Sequence, residues 1–461
     1  MPDISLTQTA TAPPVPARLH EHILRDVWRM GYPSMIGFAA TNLYTLANMF
    51  WVSRLGADRV AAITIFAAFY WVIGSANQVA GVGSVAIIAR RYGEKDIERT
   101  KIAIIDAFAL KFVLAAIFGA IGYLLTPAIV TLLGARGDVV GQAVTYGRIM
   151  LIALFFSFPT WTCFTALRSI NQPRYAMTIM LVSAGLNAVI DPFLIFGWFG
   201  LPAMGIAGAA WGSLVSYALT ITTVLAMFFS GAFSIKLDWA SVRRMKFGSM
   251  WKMLKIGFPS GVSSISFSLG RMVVTPMIAH FGAPAIAIYG AGNRVFELGV
   301  LLVVGLELGM SPMIGHALGA KDKALAWLTA KKAIVLGTAI MTGCGILMAI
   351  FAAPLTRLFF EGAPYDQLGL VFFRINALTL PFFGIYVLIE GAFTGAGDTV
   401  PTMVAGLVQA WVLEIPLIWL LAYPLGYGPA GVWWGFVIAA VLSAVGFIWW
   451  FSKGRWLERE V

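Results

Sequence analysis

A chain of 461 residues that is 59% hydrophobic and 11% charged, with mean hydropathy +0.84, is excluded from the water-soluble classes, whose domains carry roughly 25% charge. The net charge of +11 could suit nucleic acid, but the basic residues lie in short segments between apolar runs, so no nucleic-acid partner is expected. Membrane lipid is the surrounding this composition selects.

Residues 1–27 are expected to form a cytoplasmic tail, and its first twenty residues, with the Pro-rich run Thr11-Ala12-Pro13-Pro14-Val15-Pro16 and no apolar core of a cleavable signal, are expected to be disordered. Apolar stretches long enough to cross the roughly 30 Å hydrocarbon layer follow, near 28–53, 60–88, 103–126, 143–167, 175–198 and 204–230. A basic linker at 231–250 separates them from a second set near 252–279, 285–314, 328–352, 368–393, 400–422 and 430–451, with a tail at 453–461. The expected fold is all-α, with twelve transmembrane helices in two six-helix lobes, 28–230 and 251–452.

The halves repeat. An offset of 226 pairs Pro33 with Pro259, Gly56 with Gly282, Gly93 with Gly319, Lys95-Asp96 with Lys321-Asp322, and Arg148 with Arg374. With an even number of spans per half, the halves are expected to run in the same sense, related by an axis along the membrane normal. Transporters rock such repeats about a central cavity. On this topology 23 Lys and Arg face one side and four, Arg54, Arg59, Arg136 and Arg357, face the other. The excess marks the cytoplasmic side and places both termini there. Cys163 and Cys344 both fall in spans, so no disulfide framework is expected.

Charges inside spans are costly and mark candidate functional groups. Asp191 stands out: in Gly185-Leu-Asn187-Ala-Val-Ile-Asp191-Pro192, Asn187 and Asp191 are four apart and share a helix face. Desolvation disfavours the carboxylate's charge while an amide beside it can hold the ionised form, which makes a proton-binding device. A carboxyl that caps a kinked helix or pairs with an arginine is the plainer alternative. Glu414 is its counterpart in the second half, since both acids lie fourteen residues before a glycine, Gly205 and Gly428. It is expected to bind a cation or to sit in a buried ion pair. Arg294 and Glu297, three apart, are expected to neutralise each other. Glu307 and Glu390 are placed at solvated helix ends or at a cavity mouth, and Asp106 and Lys111 at the periphery. Gly205, Gly208 and Gly212 are read as packing residues. Tyr44, Trp161 and Trp211 are among the aromatics available to wall a cavity.

The run from Gly185 to Gly197, followed by Gly205-Ile-Ala-Gly208-Ala-Ala-Trp211-Gly212, and the exit of the first span, Asn48-Met-Phe-Trp-Val-Ser-Arg54-Leu-Gly56, resemble the multidrug and toxic compound extrusion (MATE) family over essentially the whole chain. The resemblance implies a V-shaped pair of lobes that exchanges amphipathic organic compounds for protons or sodium ions. It also implies a first-lobe site in which Tyr146, Asn187 and Asp191 match the proton-coupled members, while Asn48 stands where they have an aspartate. Asn48 cannot carry a proton, so coupling would rest on Asp191, with sodium at Asp191 as the other possibility.

The expected function is therefore an ion-coupled antiporter, proton favoured over sodium. It would work as a monomer in the inner membrane, export small amphipathic or cationic molecules, and use no cofactor. A flippase for lipid-linked or polysaccharide precursors is the alternative and would need a cationic cavity, for which Arg271 and Arg294 are the candidates. A membrane enzyme is disfavoured, because the sequence has no His-Glu-x-x-His, Gly-x-Ser-x-Gly or Walker-type loop.

Overall fold

A computed structural model describes residues 17–200, 202–360 and 362–461, so the tail expectation for residues 1–16 lies outside it. Twelve long helices run in chain order: helix 1 Ala17–Ser53, helix 2 Ala57–Gly93, helix 3 Ile97–Leu132, helix 4 Asp138–Ser169, helix 5 Pro173–Phe196 and helix 6 Ile206–Ser230. Helices 7, 8 and 9 span Phe247–Ala279, Ala283–Gly319 and Lys323–Ile350. Helix 10 is in two pieces, Ala363–Ala377 and Thr379–Ala396, and helices 11 and 12 span Val400–Ala422 and Gly428–Ser452.

Eleven of these are long and apolar enough to cross a membrane. Helix 1 falls short because Thr41, Asn42, Tyr44, Thr45 and Asn48 crowd its second half, and Thr41 and Tyr44 line a cavity. It also begins at Ala17, so residues 17–27, expected in a tail, are helical.

Helices 2 to 6 enclose two apolar cores, one around Phe108, Phe164 and Phe228 and one around Phe66, Leu151 and Leu154. Helices 7 to 12 enclose a third around Leu306, Phe372 and Trp433. The lobes meet along helices 1 and 8 and along helices 2 and 7, where glycines let backbones touch. A Cβ on Gly257 would lie 1.7 Å from the Val79 carbonyl oxygen, and one on Gly83 1.9 Å from that of Met253. A Cβ on Gly309 would lie 2.6 Å from the Gly31 nitrogen, and one on Gly31 2.8 Å from Leu306 Cδ1. Gly31 and Gly257, like Gly83 and Gly309, are 226 residues apart, so the seam is one contact made twice about the repeat axis.

The seam continues to the ends of helices 2 and 8. There Gly93 and Gly319 leave room for the His316 and Arg90 carbonyls, and His316 Nε2 lies 2.6 Å from the Ser169 carbonyl oxygen of the other lobe. In the opposite direction the contact stops near Ser264, whose hydroxyl donates to Gln78 Oε1 at 3.1 Å. Beyond it Leu43, Leu46, Trp71, Leu269, Met272 and Leu298 are exposed. The lobes are therefore shut on the side of the basic loops and apart on the other.

Burial corrects several expectations. Lys111 and Asp106 are not peripheral: Lys111 is 1% exposed and donates to the carbonyl and side-chain oxygens of Asn77, while Asp106 Oδ1 accepts the Lys246 backbone N–H at 3.0 Å. Arg168, counted with the loop charges, is 2% exposed and lies within electrostatic reach of Glu307 across the lobe boundary. Glu307 and Glu390 are half-buried rather than solvated. A Cβ on Gly391, beside Glu390, would lie 2.5 Å from Glu307 Cγ, so these acids sit where helices 8 and 10 of the second lobe pack together. The linker is docked: the Ser241 backbone N–H, 2.7 Å away, holds the Asp238 carboxyl below the usual range, and Lys101 pairs with it at 3.4 Å. The tail after helix 12 packs as well, with Trp456 buried on Phe451 and Trp327.

Candidate functional site

Helix 5 brings Asn187 and Asp191 to one face, one turn apart, and both are buried, Asp191 completely. Helix 1 crosses that face, and Asn48 Nδ2 donates to Asp191 Oδ2 at 2.7 Å. The surrounding groups orient the Asn187 amide so that its nitrogen donates to both Asp191 oxygens, at 2.8 and 3.0 Å, and to the Tyr44 hydroxyl at 3.2 Å. Tyr44, one turn before Asn48, shares a 3.0 Å hydrogen bond with Ser213 Oγ of helix 6. One carboxylate thus joins helices 1, 5 and 6.

The space for it is made by Gly212. A Cβ there would lie 2.2 Å from Asp191 Oδ1, so this glycine is a seat for the carboxylate as well as a packing residue. We expect Gly212→Ala to leave the protein folded, because the displaced atom ends a rotatable side chain, but to break the Asn48 contact. Substrate affinity then falls about tenfold, one charged hydrogen bond's worth, with little change in melting temperature; equal affinity would show that the seat is unimportant.

Next to the carboxylate is an open pocket, about 400 Å³ counting its solvent-open mouth, lined by Thr41, Tyr44, Trp161, Met180, Asn187 and Tyr217. Tyr146 is buried in the same lobe near Asp191, but its ring packs edge-on against Phe66 at 5.7 Å and forms no hydrogen bond to the carboxylate. Ser213 and Tyr217 escape a reading of the sequence. Their spacing of four on helix 6, one residue past Gly212, is the signal that could have found them.

Of the second-lobe candidates, Glu414 is 9% exposed and lines, with Arg271, an open pocket whose space is about 740 Å³ counting its solvent-open mouth. Arg294 and Glu297 do pair, at 3.2 Å, but their side chains are 78% and 55% exposed and lie outside both cavities. Exposed pairs contribute little, so Glu297→Gln should leave transport within about twofold of the parent; a larger loss in a vesicle efflux assay would assign the pair a role.

The chain belongs to the MATE family of efflux transporters: the family profile, MatE, matches residues 33–193 and again 259–420, one match in each lobe. It is a secondary transporter and not an enzyme. It is 25% identical over 443 residues to the probable multidrug resistance protein YoeA of Bacillus subtilis, covering 95% of this chain and 96% of that one. It is 23% identical to the probable multidrug resistance protein NorM of Thermotoga maritima, covering 95% and 94%. The fold matches an outward-facing multidrug resistance MATE transporter of the MOP superfamily with TM-score 0.87 at 23% identity, covering 96% of this chain and 98% of that one. It matches a MOP superfamily transporter from Pyrococcus furiosus with TM-score 0.86 at 23% identity and the same coverage. The twelve-helix, two-lobe fold and the multi-pass membrane location follow from these findings and the apolar helices.

Proposed function

We propose that the chain is a proton-coupled antiporter of the inner membrane that exports small amphipathic or cationic organic compounds, with both termini cytoplasmic. The observation that supports this best is Asp191, a wholly buried carboxylate held by two amides and, among the described residues, paired with no cationic side chain. A lone charge inside a membrane costs about 2.5–3.5 kcal/mol by insertion scales. A proton, a metal cation or a cationic substrate must therefore accompany it during part of the cycle.

The surroundings favour the proton. Asn48 and Asn187 turn N–H groups toward the carboxylate, whereas a hard metal cation such as sodium wants several oxygens turned toward itself. A proton needs only one lone pair. The aromatic wall of Tyr44, Trp161 and Tyr217 suits an organic cation, drawn both to the rings and to the charge. Proton and organic cation then compete for one carboxylate, which is the condition for exchange. The multidrug names of the curated relatives point the same way.

Movement follows from the same contact. A hydrogen bond to a charged acceptor contributes about 1.5–3 kcal/mol and a neutral one about 0.5–1.5, so protonating Asp191 weakens its hold on helix 1 through Asn48. Pro33 leaves helix 1 a missing backbone bond at which to bend. With the basic loops cytoplasmic, the closed seam beside Gly93 and Gly319 makes this the outward-open state. A flippase is not favoured, because Arg271 shares its cavity with Glu414 and Arg294 pairs with Glu297, which leaves neither of the two candidate arginines to make a cationic chamber.

Proteoliposomes loaded with ethidium and given either a pH gradient or a sodium gradient test the reading. Transport is expected with the pH gradient at zero sodium. Transport that requires sodium and ignores pH would overturn it.

A further inference from the structure

The linker between the lobes carries charges and rings that the transport cycle does not use. Between Lys236 and Lys255 the chain has six basic residues and one acid, Asp238. That acid is already paired with Lys101 at 3.4 Å, and Glu98 lies 2.7 Å from Lys101 and 3.9 Å from Arg244. Arg243, Lys252 and Lys255 are exposed and form no ion pair among the described residues.

Large apolar side chains stand beside these cations and are equally open. Trp239 is 73% exposed, Phe247 80% and Trp251 61%. A water-facing surface rarely shows such a cluster. Trp239 opens a short helix, Trp239–Val242, and its ring stacks on Phe229 near the end of helix 6, centroids 5.0 Å apart. Phe247 and Trp251 are four apart in the first turns of helix 7 and share a face with Lys255 and Phe258. The opposite face, with Met253, Gly257 and Gly261, packs on helix 2. The exposed face therefore turns away from the closed seam and toward the surrounding lipid. Helix 7 has 33 residues, about 50 Å at the α-helical rise, against roughly 30 Å of hydrocarbon. Its basic first turns stand in the headgroup layer.

The segment is also held in place. Asp238 caps the short helix through the Ser241 N–H, and the Lys246 backbone N–H donates to Asp106 of helix 3 at 3.0 Å, so the linker is pinned to the first lobe. Lys252 and Lys255 belong to helix 7 of the second lobe. We propose that this surface binds an acidic phospholipid of the cytoplasmic leaflet. Lys252 and Lys255, three apart, meet its phosphate, Arg243 adds charge from the linker, and the acyl chains lie along Phe247, Trp251 and Phe258. Tryptophan beside lysine and arginine at headgroup depth suits an anionic membrane surface. A zwitterionic headgroup would bring its own cation to the same place and bind less well. A lipid held this way touches both lobes where they are shut.

Gly248 lies between Phe247 and Trp251, and a Cβ there meets nothing within 4 Å, so Gly248→Cys accepts a fluorophore. The full-length protein without Cys163 and Cys344, labelled there with NBD, is placed in phosphatidylcholine nanodiscs. These contain rising fractions of phosphatidylglycerol or of phosphatidylcholine, each carrying a doxyl quencher near the headgroup. Half-quenching is expected at an about fivefold lower fraction of the phosphatidylglycerol, the worth of one basic residue at an anionic surface. Arg243→Gln combined with Lys252→Gln and Lys255→Gln should bring the two lipids level. Sodium chloride at about 1 M, which shortens the screening length to about 3 Å, should do the same without any substitution. Equal quenching in the parent, or a preference that survives either treatment, would overturn the proposal. Quenching by neither lipid would put the patch outside the bilayer, open to a soluble acidic protein, and would overturn it too. Nanodiscs present both leaflets alike and carry no gradient, so the result stands or falls apart from the transport reading.

Discussion

Asp191→Asn abolishes pH-driven efflux, reducing it to passive leak, in a protein that still folds and inserts. The substitution keeps the shape of the side chain and its place against Gly212, so the fold loses at most a rearranged hydrogen bond, about 1 kcal/mol. Function loses the one group in the first-lobe site that can change charge, since Asn48 and Asn187 cannot. The organic cation also loses its counter-charge, so affinity should fall and become independent of pH. In the parent, lowering the pH on the substrate-binding side should weaken binding, because the protonated carboxyl no longer attracts a cation. Binding of ethidium to purified protein across a pH series, alongside gradient-driven efflux, separates these effects. Efflux that survives the substitution would move the coupling elsewhere.

The seam between the lobes yields the second large effect. Gly83→Ala combined with Gly257→Ala is expected to hold the lobes apart on the side of the basic loops and to lower transport more than about tenfold. The added carbons would sit 1.9 and 1.7 Å from backbone carbonyl oxygens of the opposing helices, which no rotamer can relieve. Separation of the helices is the remaining escape. When the lobes part, the added methyl groups meet no opposing backbone, so the equilibrium shifts toward that state rather than toward unfolding. A thiol probe at Ser264→Cys, in a variant without Cys163 and Cys344, should label from the basic-loop side in the double alanine variant and poorly in the parent. Unchanged transport and labelling would show that the closed seam has no place in the cycle.

Much of this architecture is legible in the sequence because hydrocarbon imposes simple rules. Apolar runs, basic loops and the 226-residue repeat each report a single large energy, so the spans, the two lobes and the Asn187–Asp191 face could be read directly. What could not be read depends on contacts between helices. Lys111 looks peripheral from its position in the chain, yet it is buried because Asn77, on another helix, satisfies it. Gly212 reads as a packing residue until Asp191 is seen against it. The π-helical stretch of helix 11, Val408–Glu414, has only Pro416 as its signature, and a proline more often kinks a helix than slips it. The pairing of helix 1 with helix 5 through Asn48 is likewise a tertiary fact.

Proton release on substrate binding tests the central claim most directly. If an organic cation displaces the proton of Asp191, mixing ethidium with the purified protein in weakly buffered solution should release about half a proton per bound molecule at the carboxyl's titration midpoint, rising toward one below it. Asp191→Asn should release none. A parent that binds ethidium without releasing protons at any pH, or a release that persists in Asp191→Asn, would contradict the account.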